Sequence, residues 1–339
     1  MKVLVTGSAG FIGGYLVEEL LSQGYQVVGL DNFWKYGRIE REIDKNPNYQ
    51  FVEGDAKDIP LLKSLLKDCD HFIAGAAIIG GISLFHELAY DLLAENERLC
   101  AAAFDAAIWA HKEHKLKKIT VISSSMVFES TDQYPTPEGA QLTSPPPLST
   151  YGFQKLATEF FAKGAWEQYK LPFTIVRPFN CVGIGERRAK VDTEIMSGNV
   201  KLALSHVVPD LAQKILKGQR PLHILGDGSQ VRHYTYGGDL AKGIRVCMEH
   251  PKAENEDFNI STAVSTTVLE LAEIIWNKIN PGKPFTYVCD PPFPHDVQKR
   301  VPCVEKAKRL LGFEATTTLD EALDEIIPWI KRELELARI

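Results

Sequence analysis

The chain has 339 residues, of which 45% are hydrophobic and 24% charged, the ordinary composition of a globular protein. This length exceeds what one core comfortably holds, so two domains, or one domain with a large appended lobe, are expected. The formal net charge of −6 leaves no excess of Lys or Arg for phosphates, which argues against nucleic acid as a partner. The chain opens on a strand pattern, and no apolar run reaches membrane-spanning length, so we expect a cytoplasmic protein with no membrane partner.

The first half of the chain alternates short apolar runs with amphipathic stretches, the pattern of βαβ units around a parallel sheet. Strands are predicted at Lys2–Thr6, Gln26–Leu30, Tyr49–Glu53, His71–Ala74, Lys118–Ser123 and Phe173–Arg177. Helices are predicted at Phe11–Gln23, Pro60–Lys67, Glu87–His114 and Tyr151–Tyr169. Because these strands are almost continuously apolar, helices should cover both faces of the sheet. The sequence therefore predicts a doubly wound α/β sheet of the Rossmann type.

A smaller α/β lobe is predicted after Pro178, where the alternation weakens and Gly and Pro become frequent. Gly237–His250 and Phe258–Ser261 read as a helix and a strand that return to the sheet. This gives a nucleotide-binding domain of residues 1–178 with about 237–262, and a lobe of residues 179–236 and 263–339. Pro135–Pro147 holds five prolines and is predicted to form a stiff loop beside the site.

A glycine pattern follows the first predicted strand, in the run TGSAGFIG of residues 6–13. Gly7 permits a tight turn, Gly10 lets the backbone approach a pyrophosphate, and Gly13 lets helix and strand pack closely. The helix that begins at Phe11 and Ile12 presents backbone N–H groups to the same pyrophosphate. We therefore predict a dinucleotide site at Gly7, Gly10, Phe11, Ile12 and Gly13.

An acidic residue, Asp31, ends the second strand eighteen residues after Gly13. That spacing suits a carboxylate that accepts hydrogen bonds from a ribose diol and repels a 2′-phosphate, so NAD is favoured as the cofactor. Lys35 and Arg38 keep NADP as the minority alternative, and a turn cap is the plain alternative role for Asp31. Further cofactor contacts are predicted at Asn32, Asp55, Ala56, Ala74 and Ala76. A turn role is the alternative for Asp55, and tight packing is the alternative for the alanines after the fourth strand.

Tyr151 and Lys155 lie four residues apart at the start of a predicted helix and so share one face. An ammonium beside a phenol lowers the phenol's pKa, so Tyr151 could serve as a general base in alcohol oxidation. Ser123, Ser124 and Ser125 end the fifth strand, at the edge of the sheet where such folds bind ligands. A serine there can hold the substrate oxygen, although serines at strand ends are commonly caps.

These motifs occur in the order of a known family, and they run through nearly the whole chain. They read TGSAGFIG, LDN, EGDAKD, SSSMVF, YGFQK, RPFNCVG, GDGSQVRHYTYGGDL and FNIS. The chain thereby resembles the extended short-chain dehydrogenase/reductases, in particular the NAD-dependent sugar-nucleotide epimerases and dehydratases that are similar to UDP-glucose 4-epimerase. The resemblance implies Tyr151 as the base, Lys155 as its modulator and cofactor contact, and Ser124 as the active-site hydroxyl.

The resemblance also implies ligand contacts that the residues alone leave open. Asn96 would contact the cofactor, and Asn180 and Arg232 would bind the diphosphate of a nucleotide sugar, beside Ser124 and Ser125. A surface ion pair is the alternative role for Arg232. Three departures from the family pattern concern the substrate: Phe128 replaces a Tyr, Glu129 a Gly and Phe293 an Arg. Lys299 or Arg300 would have to replace that missing guanidinium.

The same comparison narrows the reaction. Dehydratases place an Asp-Glu pair where this chain has Ser125 and Met126, and decarboxylating relatives keep a Glu at the second position. GDP-sugar 3,5-epimerases resemble the chain at Ile79–Ile82 and Ser205–Pro209 but use a Cys where Met126 stands. The remaining chemistry is 4-epimerisation of a UDP-hexose through a 4-keto intermediate. A 3,5-epimerase or epimerase/reductase, with an acid near Arg187, Arg188 or His206, is the second hypothesis.

A hypothesis of another class is a non-catalytic NAD-binding scaffold or sensor, which would need only the glycine loop and Asp31. No metal site is predicted, since His111 and His114 lie among lysines on what reads as a solvated helix. By resemblance to the family, Glu87–His114 and Tyr151–Tyr169 would pair two subunits as a four-helix bundle, which predicts a homodimer.

Overall fold

The computed structural model describes residues 1–338 except 39–40, 80–87, 187–194, 198–199, 203–205, 293–296 and 337. Its strands are β1 Lys2–Thr6, β2 Gln26–Asp31, β3 Tyr49–Glu53, β4 His71–Ala74, β5 Lys118–Ile122, β6 Phe173–Pro178, β7 Cys181–Val182, β8 Ile195–Ser197, β9 Val200–Leu202, β10 Leu222–Leu225, β11 Val231–Arg232, β12 Thr235–Tyr236, β13 Glu256–Ile260, β14 Thr266–Thr267 and β15 Tyr287–Asp290. Its α-helices are α1 Phe11–Ser22, α2 Ile59–Leu66, α3 Ala89–Glu113, α4 Thr150–Tyr169, α5 Val207–Leu216, α6 Gly237–Glu249, α7 Val268–Ile279, α8 Glu305–Leu311 and α9 Leu319–Glu335.

Seven strands form one parallel sheet in the order β13-β6-β5-β4-β1-β2-β3. The chain moves outward from β1 to β3, then returns and proceeds through β4, β5 and β6 on the other side. This reversal opens a crevice between β1 and β4 at the carboxyl ends of the strands, where doubly wound folds bind ligands. The predicted Rossmann fold is confirmed, and β13 joins β6 as the predicted returning strand.

Each face of the sheet has its own apolar core. One core packs α2, α3 and α4 on one face, around residues such as Leu62, Phe72 and Phe104. The second core packs α1 and α6 on the opposite face, around Leu20, Ile244 and Phe258. Because both faces are covered, the strands are apolar on both sides, as their sequences indicated.

A third core lies outside the sheet. It is built by α5, α7 and α9, with Leu211, Leu271 and Ile326 fully buried. Its residues come from two chain segments, one before α6 and one after it, as predicted for the smaller lobe. The division at residues 178, 237 and 262 stays a prediction, since the packing does not locate a boundary to the residue.

The predicted elements correspond closely to the observed ones, with differences of a few residues at the ends. Among predicted helix residues, Glu87 lies outside the described part of the chain. The predicted irregular loop Pro135–Pro147 contains one 3-10 turn, Ala140–Leu142, in the stretch between its prolines. None of the described helices has the length and apolar content that a membrane span requires.

Candidate active site

The glycine loop between β1 and α1 is shaped by close backbone contacts. Gly7 has φ of 76°, a left-handed conformation that favours glycine. A Cβ on Gly13 would lie 2.0 Å from the carbonyl oxygen of Gly7, so only glycine allows α1 to start this close to the strand. No described side chain caps the helix at Gly10, so its first N–H groups are available to a pyrophosphate. The loop fits a dinucleotide.

Asp31 joins the end of β2 to this loop. Its Oδ2 accepts a hydrogen bond from the Ala9 N–H at 3.0 Å, and its Oδ1 accepts from the Phe33 N–H at 2.8 Å. A carboxylate has about four lone-pair sites, so two such bonds leave capacity for a ribose diol. The turn-cap role and the ribose role are thus compatible. Arg38, one of the two residues that would favour NADP, forms a solvent-exposed ion pair with Glu53.

The end of β4 reaches the same crevice. The Thr6 hydroxyl accepts hydrogen bonds from the Gly75 and Ala76 N–H groups, both at 3.2 Å, and so ties β1 to β4 beside the glycine loop. Sequence reasoning missed this threonine, because its partners lie about seventy residues away. One cavity is lined by Thr6, Ala56, Ala74, Ala76, Asn96 and Lys155, and so brings several predicted cofactor positions together.

Three predicted cofactor residues have protein partners. The buried amide of Asn96 accepts a hydrogen bond from the Ile78 N–H at 2.7 Å and donates one to the Ile78 carbonyl at 2.9 Å. Asn96 therefore fixes the segment after β4, and its cofactor contact stays a prediction. Asn32 and Asp55 each accept a hydrogen bond from a backbone N–H two residues later, as turn residues do.

The predicted catalytic residues meet where α4 crosses the end of β5. Ser149 caps α4 by accepting the Gly152 N–H at 3.0 Å, which sets where the helix begins. Tyr151 and Lys155 are buried, and the Tyr151 hydroxyl hydrogen-bonds with Ser124. Lys155 donates from Nζ to the Ile122 carbonyl at 2.9 Å, with Nζ 5.9 Å from the centre of the Tyr151 ring.

Burial dominates the electrostatics of this pair. Desolvation raises the pKa of Tyr151 to about 12, although the bond from Ser124 and the charge of Arg300 act to lower it. Desolvation likewise lowers the pKa of Lys155 to about 8. The sequence-based expectation of a lowered phenol pKa is therefore wrong for the protein by itself, because removing water from the phenolate outweighs the nearby positive charges.

The predicted diphosphate residues lie between β6 and β7 and on β11. Asn180 holds a positive φ of 36°, and its Nδ2 is buried with no hydrogen-bond partner among the described residues. Arg232, on β11, is buried and donates from Nη1 to the carbonyls of Val231 and Gln298. The backbone N–H of Arg300 donates to the Val231 carbonyl at 3.1 Å. This bond places Arg300 beside β11, the strand that carries Arg232. The buried guanidinium of Arg232 and the amide donor of Asn180 are groups that suit an anionic ligand.

Ser125 and Met126 form the 3-10 turn directly after Ser124. Both are buried, and Met126 packs with Leu92 against Tyr151. A thioether cannot transfer a proton, so Met126 contributes shape to the site and no acid or base.

The structure explains two of the three departures from the family pattern. The Phe128 ring lies 5.1 Å from the guanidinium carbon of Arg177 and packs with Phe179, a buried environment that has no need of a hydroxyl. Glu129 accepts hydrogen bonds from the N–H and hydroxyl of Ser149, at 2.9 and 2.8 Å, and so binds the cap of α4. Phe293, like Ile82, Arg187, Arg188 and Ser205, lies outside the described residues.

Within the described part of the chain, no three His, Cys, Asp or Glu side chains are grouped as metal ligands. The residues that converge are a glycine loop, an acidic strand end, and a Ser, Tyr and Lys set. A family model described as the NAD dependent epimerase/dehydratase family matches residues 3–261. The chain belongs to this family. Membership confirms the predicted class, an NAD-dependent sugar-nucleotide epimerase of the extended short-chain dehydrogenase/reductase type, with NAD as cofactor.

Relatives within the family align over nearly their whole length. A UDP-glucose 4-epimerase of Halalkalibacterium halodurans is 28% identical, over 93% of this chain and 90% of the relative. The solved UDP-glucose 4-epimerase of Thermotoga maritima with UDP-glucose has a TM-score of 0.81 and 27% identity, over 98% of this chain and 100% of that one. The Bacillus cereus UDP-glucuronic acid 4-epimerase with UDP-glucuronic acid and NAD has the same TM-score and identity, over 98% and 99%.

Proposed function

We propose that the protein interconverts two UDP-hexoses that differ at carbon 4, through a transient 4-keto sugar. The observation that carries this proposal is the contact of Tyr151 with Ser124 beside Lys155, with Met126 in place of an acid. This set can move one hydroxyl proton, and Met126 offers no group for removing water or for a second proton transfer at a neighbouring carbon.

The residues divide the chemistry between them. NAD, when bound, supplies a hydride acceptor and donor together with a positive ring beside the phenol. Tyr151 takes the proton of the carbon 4 hydroxyl and later returns it, while Ser124 holds both oxygens by hydrogen bonds. Arg300 favours the phenolate by its charge, and Lys155, anchored on Ile122, holds its ammonium 5.9 Å from the centre of the Tyr151 ring. Burial excludes water that would compete for these bonds.

The nucleotide would be bound by residues outside the catalytic set. Asn180 and Arg232 would take the diphosphate, since Asn180 has an unused donor and a guanidinium matches phosphate oxygens. Arg300 would supply the second guanidinium. Uracil is proposed as the base because UDP-sugars are named for the similar Thermotoga and Bacillus enzymes.

A panel of UDP-, GDP-, CDP- and dTDP-sugars in deuterated water tests the proposal. A 4-epimerase returns its own hydride, so the product should contain no solvent deuterium on carbon. The matched control is Tyr151→Phe, which should bind the same sugar without turnover. Deuterium on the product carbon would instead support the second hypothesis, 3,5-epimerisation.

The alternative of another class, a non-catalytic NAD scaffold, predicts no turnover with any sugar of the panel. The buried Tyr151 and Lys155 speak against it, because burying an ionisable pair is unfavourable and an NAD scaffold needs neither residue. We also propose that NAD stays bound through purification, since the cofactor must be retained between hydride removal and return. Complete loss on gentle desalting would favour a dehydrogenase with exchanging cofactor.

We propose further that two copies of the chain pair through α3 and α4. Phe153 and Phe160 lie seven residues apart on α4, on the side away from the sheet, and are 50% and 57% exposed. Tyr90, at the start of α3, is also exposed. Light scattering of the wild type should give the mass of a dimer and that of Phe160→Asp a monomer; a monomeric wild type would contradict the proposal. A cytoplasmic location stays a prediction.

A further inference from the structure

We infer that Glu159 is a positioning residue for catalysis, which acts through Ser123 to hold the end of β5 in register with the catalytic helix α4. The inference rests on the proposed function. It begins from a stripe on α4 in which Tyr151, Lys155 and Glu159 follow one another at intervals of four and are all buried. Residues at this spacing share one face of a helix.

Each member of this stripe contacts a different residue of one short segment. Lys155 donates to the Ile122 carbonyl at 2.9 Å, Glu159 accepts from the Ser123 hydroxyl at 2.7 Å, and Tyr151 hydrogen-bonds with Ser124. Three successive residues at the end of β5 are therefore attached to three successive turns of α4. The bond between Ser123 and Glu159 differs from the other two, because the proposed mechanism uses neither residue for proton transfer or for binding the cofactor.

The Glu159 carboxylate is itself fixed in direction. Arg177, on β6, donates to it from Nε and Nη2, both at 2.7 Å, in a fully buried bidentate pair. Gln141 donates to Oε2 at 3.1 Å, and Arg177 also contacts Asp257 on β13 at 2.7 Å. A planar fork of this kind sets geometry as well as energy.

The position of Ser123 explains why register matters. Its N–H donates to the Val176 carbonyl of β6 at 2.8 Å, so Ser123 is the last residue still held by the sheet before the turn that carries Ser124. Without the contact to Glu159, the attachments of Ile122 to Lys155 and of Ser124 to Tyr151 would remain, but Ser123 between them would lose its side-chain restraint against α4. A displacement of about 1 Å between catalytic groups can lower a rate about a hundredfold.

The test uses the NAD-loaded enzyme and four variants: Ser123→Ala, Glu159→Gln, the double variant, and Lys118→Met as control. Lys118 is buried at the opposite end of β5 and donates to the Cys247 carbonyl at 2.8 Å, so its replacement disturbs a buried charge of the same strand far from Ser124. Ser123→Ala leaves the ion pair intact, so it serves even where Glu159→Gln does not fold.

We expect Ser123→Ala and Glu159→Gln each to lower kcat about tenfold to a hundredfold, with KM for the UDP-sugar and NAD content unchanged. The double variant should be no slower than the worse single variant, because both remove one contact. Lys118→Met should keep wild-type kcat. The inference is overturned by kcat within twofold of wild type in soluble Ser123→Ala, or by an equal loss in Lys118→Met.

A second measurement separates this inference from the proposed function. Hydrogen–deuterium exchange of residues 124–128 requires no sugar, and it should become faster in Ser123→Ala and Glu159→Gln but not in Lys118→Met. If the wild type turns over no sugar, the proposed function fails. Hydrogen–deuterium exchange then tests the positioning role of Glu159 without any activity measurement. Unchanged exchange in both variants would overturn the role of Glu159.

Discussion

Replacement by alanine should change the stability of the protein very differently at Gly10, Gly13 and Gly14, three glycines at the start of α1. A Cβ on Gly13 would lie 2.0 Å from the Gly7 carbonyl oxygen, whereas the Cβ of Gly10 would have its closest contact at 3.1 Å, and that of Gly14 would meet nothing within 4 Å. Since real Cβ atoms stay about 3 Å or more from such an oxygen, only Gly13→Ala forces α1 away from β1.

The expected changes in stability follow from these distances and from the position of each glycine in the helix. Gly13→Ala should lower the free energy of unfolding of the cofactor-free protein by about 1–3 kcal/mol, the usual effect of overpacking. Gly10→Ala replaces a glycine N-cap by the less favourable alanine, which should lower the free energy of unfolding by about 0.5–1 kcal/mol. Gly14→Ala should raise stability by up to about 1 kcal/mol, because it lies inside α1 and alanine has the higher helix propensity.

Affinity for NAD should follow a different order. Gly10→Ala places a methyl group where the pyrophosphate approaches the backbone, so its dissociation constant for NAD should rise at least about tenfold despite near-normal stability. Urea unfolding of stripped protein and calorimetric NAD titration measure the two effects separately. A Gly13→Ala protein as stable as the wild type, or a Gly14→Ala protein less stable than Gly13→Ala, would refute the reasoning.

The remaining predictions concern the site and its support. Tyr151→Phe should lower kcat about 10²–10⁴-fold while the UDP-sugar dissociation constant, measured by calorimetric titration of both proteins, changes little. Asp31→Ala should weaken NAD about tenfold to a hundredfold and NADP less, as fluorescence titration with both cofactors would show; equal losses would exclude a 2′-hydroxyl contact. Burial opposes the charge of Asp257, yet Arg177 and Lys306 lower its pKa to about 2 from 3.8. The ionised Asp257 therefore contributes about 2 kcal/mol to the free energy of unfolding above pH 3.8, and this contribution is lost as the pH falls through 2. In urea unfolding, Asp257→Asn should be less stable than the wild type at pH 7 and similarly stable near pH 2.

The buried charges behind the serines contribute orientation more than stability. A buried ion pair such as Arg177 with Glu159 adds little net stability compared with apolar side chains of the same volume, because both charges lose water. Its bidentate geometry fixes the direction of the Glu159 carboxylate that accepts the Ser123 hydroxyl. The exchange and kcat measurements on Ser123 examine this view directly.

Local spacing predicted the shape of the cofactor loop and the shared helix face of Tyr151 and Lys155, whose catalytic role came from the family resemblance. Gly7, Gly10 and Gly13 act through backbone contacts within one turn, and Tyr151 and Lys155 share a helix face by periodicity, so a linear pattern is sufficient. The strands were found for a similar reason, since burial on both faces leaves an almost uninterrupted apolar run.

Tertiary structure decided what depends on distant partners. The pKa of Tyr151 is raised because helices and loops exclude water from it, and no neighbour in sequence reveals that burial. Asn96 uses its amide on Ile78, and Glu159 meets Ser123 and Arg177 across three different elements. Side-chain identity sets which bonds each group can make; only the packing of α4 on β5 and β6 selects the partners and fixes the charges they see.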